Sequence, residues 1–260
     1  MIKMISKKEL QDYARLKGLT LGNAEKDYLI DIALLSISRN TKNELVFKGG
    51  TCLYKFYKLN RFSEDLDFSA THEINIDKLI SCIILDFEKF GIKVVLHKKK
   101  EQQSSILIIL RLEGPLFSGN SATYASIGID VNVKSSVDLK PEFLEYNSFY
   151  PDLPKISILC MKQEEIFAEK IRALMTRTRA RDLFDVNFLL EKNIYAEESL
   201  IVKKMSYYNN EFKVSKLMQK IRSLDKIWKK ELWGFASEIP NFQQTSKEVI
   251  KKLKKKYNEK

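Results

Sequence analysis

Apolar residues recur at helical spacing through the first forty positions, switch to short runs and strict alternation, then return to helical spacing after Met161. Ser6 followed by Lys7-Lys8-Glu9-Leu10 predicts a capped helix start running through Tyr13, Ala14 and Leu16. A second helix is predicted over 24–38, where Tyr28, Ile32, Leu35 and Ile37 form an apolar stripe. Leu45-Val46-Phe47 reads as a short buried strand ended by Gly49-Gly50. A brief helix at 52–57 and a strand at Asp65-Leu66-Asp67-Phe68 follow. The stretch 76–90 reads as a helix stopped by Gly91.

Two strands are predicted at 92–97 and 104–112, joined by the charged turn Lys98-Lys99-Lys100-Glu101-Gln102. Ile127-Gly128-Ile129-Asp130-Val131-Asn132-Val133 alternates apolar and polar residues, which marks a strand with Asp130 and Asn132 on one face. A proline-bearing loop from Pro141 to Pro154 then separates an α/β half from a helical remainder. The pattern predicts an α+β chain with a core over 1–155 and a helical lobe over 156–260. No internal repeat is visible.

Composition changes the picture in two respects. The 45 Lys and Arg against 34 Asp and Glu leave a net charge of +11, which favours a polyanionic partner; a lysine-rich composition produces the same excess without one. Cys52, Cys82 and Cys160 are odd in number and sit among apolar residues, reading as buried thiols of a reducing compartment rather than disulfides or zinc ligands. The opening Met1-Ile2-Lys3-Met4-Ile5-Ser6-Lys7-Lys8 lacks the apolar core of a signal peptide, and no segment is apolar enough to span a bilayer. A cytoplasmic protein without a membrane partner is expected.

The candidate chemistry begins with Gly49-Gly50-Thr51. A glycine turn opening a helix presents backbone N–H groups suited to a triphosphate, with the Thr51 hydroxyl assisting; it also reads as a plain strand-to-helix turn with a Thr N-cap. Asp65 and Asp67 alternate on an apolar strand, so their carboxylates share a face, and a divalent cation such as magnesium, or manganese, would relieve their repulsion. A solvated strand edge is the other reading. Asp130 offers a third carboxylate on an adjacent strand, able to accept a proton from an attacking hydroxyl. Three carboxylates with two such ions would support in-line attack on an α-phosphate.

Lys170 falls on the buried stripe of Ile166, Phe167, Ile171 and Leu174, where a lysine either snorkels to solvent or meets an anion. Arg172, Arg177, Arg179 and Arg181 precede Asp182-Leu183-Phe184-Asp185. Either Asp182 is a helix N-cap with Asp185 beside it, or these aspartates order the basic groups against a triphosphate. His72 and His97 lack a nearby nucleophile, which removes serine and cysteine hydrolase chemistry, and the glycine spacing is not that of a Walker P-loop. Trp228 and Trp233 are expected in the helical core. Lys251, Lys252, Lys254, Lys255 and Lys256 either contact nucleic-acid phosphates or form a solvated helix end.

The order Gly49-Gly50-Thr51, Arg61-x-Ser63-x-Asp65-x-Asp67-Phe68, Glu169-Lys170-Ile171-x-Ala173-Leu174 and Arg181-Asp182-Leu183-x-Asp185 resembles the AbiEii/AbiGii nucleotidyltransferase toxins, over roughly residues 25 to 190. These belong to the DNA polymerase β-like superfamily and act in abortive-infection and type IV toxin–antitoxin systems. The resemblance implies two lobes, an N-terminal mixed sheet and a C-terminal helical lobe, with a cleft between them. It implies Asp65 and Asp67 as magnesium ligands, Gly50 and Thr51 at the phosphates, and Lys170 and Asp182 completing the nucleotide site. Gly49, Arg61, Ser63, Arg181 and Asp185 lie within the matching motifs and are expected beside the nucleotide. Transfer of a nucleoside monophosphate to the tRNA 3′ end follows from the resemblance, with a cognate antitoxin as a further partner. Transfer to a protein hydroxyl and a catalytically silent RNA-binding module are the alternatives.

Overall fold

The computed structural model describes residues 3–257, so Met1 and Ile2 of the opening stretch lie outside the described residues. The chain forms two units: residues 1–58, 62–137 and 141–160 make the first, and residues 59–61, 138–140 and 161–260 the second.

The first unit opens with α1 (Lys7–Lys17) and α2 (Leu21–Asn40). The Ser6 hydroxyl accepts from the Glu9 N–H and the Glu9 carboxylate accepts from the Ser6 N–H, a closed capping box. Next come β1 (Leu45–Lys48), α3 (Gly49–Tyr57), β2 (Leu66–Ala70), α4 (Ile76–Lys89), β3 (Val94–Glu101), β4 (Ser105–Leu112), β5 (Ala125–Asn132), β6 (Glu142–Tyr146) and β7 (Ile156–Cys160). Among the described residues they form a seven-stranded mixed sheet in the order β3-β4-β5-β2-β1-β7-β6. β2 runs parallel to β5 and β1 parallel to β7; the remaining neighbours are antiparallel.

The α+β expectation holds, with differences of detail. The charged stretch expected as a turn continues β3 through Glu101, because Lys98, Lys99 and Lys100 pair across to Ile109, Ile108 and Leu107. The proline-bearing loop contains β6, which pairs with β7 and so extends the sheet. β7 stands beyond the expected boundary at 155, since Phe47 of β1 pairs with Cys160. Cys52 and Cys160 are buried, whereas Cys82 is half-buried.

A buried ion network anchors α3 to α2. Lys55 Nζ lies 2.6 Å from Asp27 Oδ1 and 2.6 Å from Asp31 Oδ1, two carboxylates one helical turn apart. Lys17 pairs with the second oxygen of Asp27, to which the Tyr150 hydroxyl also donates. The Ser148 hydroxyl donates to Asp31 at 2.7 Å. Burial would lower the Lys55 pKa, but Asp27 and Asp31 outweigh it and raise it well above the usual lysine range.

The second unit contains α5 (Gln163–Thr176), α6 (Ala180–Glu191), α7 (Glu198–Ser206), α8 (Val214–Arg222), α9 (Asp225–Leu232) and α10 (Phe242–Tyr257). Buried Lys204 pairs with Glu165 at 2.5 Å and with Asp138 at 3.0 Å, tying α7 to α5. Trp228 is buried near Phe184 and Phe242, with its indole N–H on the Pro240 carbonyl. Trp233 corrects the expectation: it follows the last turn of α9 and is 80% exposed. The lysine-rich end is a packed helix, with Val249, Leu253 and Tyr257 buried and Lys252 donating to the Leu190 carbonyl. Among the described residues no helix is long and apolar enough to cross a membrane.

Replacing Lys55 by Met leaves Asp27 and Asp31 buried without their shared cation. The variant is expected to lose about 3–5 kcal/mol of stability. Urea unfolding measures this, and a loss within error of zero would refute the anchoring role.

Candidate functional site

β1, β2 and β5 bring the predicted carboxylates into one part of the first unit. Register places Lys48 opposite Asp67, and Asp67 opposite Asp130. Asp65 immediately precedes β2, and its Oδ1 would lie 3.1 Å from a Cβ added to Gly128. Asp65 and Asp67 thus face the same side as Gly128 and Asp130, in keeping with the two-residue period of a strand. Asp130 accepts from the Ser105 hydroxyl at 3.0 Å. Burial raises its pKa above the usual carboxylate range, opposed by that hydrogen bond and by Lys48.

The glycine turn abuts these groups. Gly49 has φ +75°, and a Cβ there would lie 2.3 Å from Asp67 Oδ2. Both the left-handed backbone and the carboxylate exclude a side chain. α3 begins at Gly49, with Lys48 at the N-cap and no side-chain cap hydrogen bond. The opening N–H groups of α3, at Gly49, Gly50 and Thr51, have no partner one turn back within the helix, and such groups attract anions.

Thr51 departs from its N-cap reading, since Lys48 holds that position. Thr51 is fully buried; its hydroxyl donates to the Asp65 carbonyl at 2.5 Å and sits 3.0 Å from the Ser63 hydroxyl. Thr51 and Ser63 therefore fix the backbone that carries Asp65. Lys48 and Ser105 are the neighbours that sequence reasoning missed. A charged residue closing the buried run Leu45-Val46-Phe47 was the available signal for Lys48; Ser105 left none.

The remaining predicted residues assemble in the second unit. Lys170 Nζ lies 3.0 Å from Asp182 Oδ1 and 2.8 Å from Asp185 Oδ2. Arg61 donates to both oxygens of Asp185 at 2.7 Å, and Arg177 donates to both oxygens of Asp182 at 2.8 and 2.9 Å. Lys170 thus does not snorkel; the anions it meets are the chain's own. Asp182 is not the N-cap of α6, a position held by Arg179, but a residue of the first turn. The Arg181 guanidinium lies 4.6 Å from the centre of the Phe235 ring. Burial would raise the Asp182 pKa, but Lys170 and Arg177 hold it far below the usual range. Burial would lower that of Lys170, and Asp185 and Asp182 raise it instead.

Among the described residues no three carboxylate, thiol or imidazole groups converge tightly enough to enclose a metal ion. The donor set is nevertheless all oxygen, and Gly49 and Gly128 leave room where the Asp67 and Asp65 carboxylates lie. That fits a hard divalent cation, since magnesium is commonly held by one or two carboxylates together with substrate phosphates rather than by a closed protein cage.

Gly49→Ala is expected to lower turnover at least 100-fold with the fold retained, while Gly22→Ala, whose Cβ meets nothing within 4 Å, is silent. Circular dichroism beside a turnover assay separates the two, and equal activities would refute the tight turn's role. Because the folded pKa of Asp182 is depressed, its stabilisation is complete above the unfolded value of about 3.9 and is lost as pH falls below it. Asp182→Asn should therefore be less stable than the parent at neutral pH. Its stability should also fall less between about pH 5 and pH 2. Parallel losses on acidification would refute this.

Comparison with known proteins gives this geometry its context. A family model described as "Nucleotidyl transferase AbiEii toxin, Type IV TA system" matches residues 33–255, beyond the reach of the motifs read from sequence. No curated protein matches the chain in sequence. Among solved structures, MenT4, a nucleotidyltransferase toxin of Mycobacterium tuberculosis H37Rv, is 17% identical with TM-score 0.66, over 95% of this chain and 88% of that one. JHP933 from Helicobacter pylori is 20% identical with TM-score 0.55, over 90% and 91% of the two chains. A putative nucleotidyltransferase of H. pylori is 20% identical with TM-score 0.52, over 90% and 97%. These structures share the fold, and the extent of the family match carries the assignment: the chain belongs to the AbiEii nucleotidyltransferase toxins of type IV toxin–antitoxin systems.

Proposed function

We propose that this nucleotidyltransferase moves a nucleoside monophosphate from an NTP to an RNA acceptor, the tRNA 3′ end, and that Asp65, Asp67 and Asp130 with the Gly49-Gly50-Thr51 turn are its reaction centre. The observation that carries the reading is the cross-strand row Lys48, Asp67, Asp130, with the glycine turn pressed against Asp67. The opening N–H groups of α3 receive the triphosphate. Asp65 and Asp67 hold the divalent cation, magnesium or manganese, which when bound neutralises charge on the phosphates and the leaving pyrophosphate.

The acceptor hydroxyl oxygen forms a bond to the α-phosphorus as the bond to the bridging oxygen breaks and pyrophosphate departs. Asp130, whose burial raises its proton affinity, takes the hydroxyl proton. Lys48 supplies a fixed positive charge beside this pair of carboxylates. The second unit's Lys170, Asp182, Asp185 and Arg61 hold one another in place. The net charge of +11 suits a polyanionic acceptor. A cognate antitoxin restrains the toxin, and phage defence is the setting.

Four α-labelled NTPs, offered separately with magnesium, total tRNA and a matched cell extract, test the proposal. Label should enter tRNA from one NTP, vanish in Asp65→Asn and on chelation, and return with magnesium or manganese. Label entering protein instead would replace the acceptor. Undiminished transfer by Asp65→Asn would end the carboxylate assignment.

A further inference from the structure

The sheet of the first unit is covered on one face and open on the other along its β3–β4–β5 side. On the covered face, Ile108, Leu110 and Leu112 of β4 and Ala125, Ile127, Ile129 and Val131 of β5 are buried. α2 and α4 pack on this side of the sheet. The alternate positions face the other way: Leu107 and Ile109 are half-buried, and Arg111 and Ser126 are exposed. The Ser105 hydrogen bond to Asp130 fixes this open face as the one that carries the carboxylates.

Register extends the carboxylate row to the sheet edge. Lys100 of β3 pairs with Leu107, Leu107 with Asp130, and Asp130 with Asp67. The next rows read Lys98, Ile109, Gly128 and then Val95, Arg111, Ser126. At about 4.8 Å per strand, the Lys100 backbone stands roughly 10 Å from that of Asp130. The cations therefore lie behind the reacting end of a docked strand and not at it.

Charge pairing separates the two faces. Lys99 points to the covered side and pairs with Asp77 of α4 at 2.8 Å. The side chains of Lys98, Lys100 and Arg111 make no ion pair or hydrogen bond among the described residues. A half-exposed apolar strip, Leu107 and Ile109, thus lies between unpaired cations and the carboxylates.

We propose that this open face docks the single-stranded end of the RNA acceptor, with its phosphates on Lys98, Lys100 and Arg111 and its terminal nucleotides over Leu107 and Ile109. The inference rests on the RNA-transfer reading above and adds the path by which the acceptor hydroxyl reaches Asp130. Cations flanking an apolar platform match a single strand, whose backbone is anionic and whose base faces are apolar. An acidic protein surface would satisfy the charges but has no need of a lane leading into the carboxylates.

The test compares the full chain with a Lys98→Gln, Lys100→Gln, Arg111→Gln variant and with a control carrying Lys251→Gln, Lys254→Gln and Lys255→Gln, three exposed lysines of α10. Fluorescence anisotropy follows a 5′-labelled single-stranded RNA with a free 3′ hydroxyl across a salt series. A non-hydrolysable NTP analogue is titrated separately. The sheet variant should bind RNA at least 10-fold more weakly, with unchanged melting temperature and unchanged analogue affinity. Its log–log salt slope should be shallower by about 2, or 0.7 for each of three phosphate contacts. Unchanged RNA affinity, or an equal loss in the α10 control, would overturn the proposal. So would a protein acceptor whose labelling depends on the same three cations. If the parent binds RNA through these residues but transfers nothing to it, the transfer reading fails and the docking surface stands.

Discussion

The structure of the first unit turns on the pairing of β2 with β5, which sets Asp67 against Asp130. Two like charges opposite each other weaken a strand pair. At an effective dielectric of about 20, unit charges roughly 5 Å apart repel by about 3 kcal/mol. The surroundings absorb this cost in identifiable ways. Lys48 sits opposite Asp67 on the far side, Ser105 donates to Asp130, and burial favours the protonated form of Asp130. Gly49 and Gly128 leave space beside Asp67 and Asp65 in which the carboxylates can lie. A fold selected for stability alone would place apolar residues here, and this row is therefore the clearest sign of chemistry in the chain.

Such a row is useful only if the helix beside it cannot drift. α3 is fixed at both ends. Its first turn is tied by Thr51 to the Asp65 carbonyl, and Lys55, one turn on, is locked between Asp27 and Asp31. Buried ion networks of this kind contribute little net stability, because desolvation consumes most of the Coulomb gain. Their effect is geometric: one lysine can satisfy both carboxylates in a narrow range of positions. The second unit repeats the device with different residues. Lys170 bridges Asp182 and Asp185 while Arg177 and Arg61 close the outer sides of the two carboxylates.

Local pattern carried much of this into the sequence. The alternation through 127–133 marked β5, the glycine pair marked the turn, and the apolar stripe of α5 singled out Lys170 as anomalous. What the sequence withheld is what pairing decides. Arg61 and Asp185 are 124 residues apart, and no local rule joins them. The Thr51 hydroxyl can serve a helix end or a neighbouring strand with equal chemical ease, and only the approach of β2 to α3 selects the latter. Trp233 was expected in the core on grounds of size, but it follows the C-terminus of α9 where the chain turns through Gly234 at φ +77°. β6 was hidden by its prolines, which sit before and after the strand and not within it.

The lysine run of β3 shows why a charge pattern acquires meaning only with its backbone. As sequence, Lys98-Lys99-Lys100 is a single block of positive charge and reads as a solvated turn. As strand, it is divided by the two-residue period. Lys99 goes to the side of α4 and is neutralised by Asp77, while Lys98 and Lys100 go to the side that carries Asp67 and Asp130. The same alternation that buries Ile108 and Leu110 leaves Leu107, Ile109 and Arg111 facing outward. Three features of one face, its carboxylates, its apolar strip and its unpaired cations, thus follow from a single register. A one-residue slip between β4 and β5 would send every β4 side chain to the opposite face. The buried isoleucines and leucines that forbid such a slip thereby also fix where the open face meets the carboxylates, so the packing of the covered side determines the chemistry available on the other.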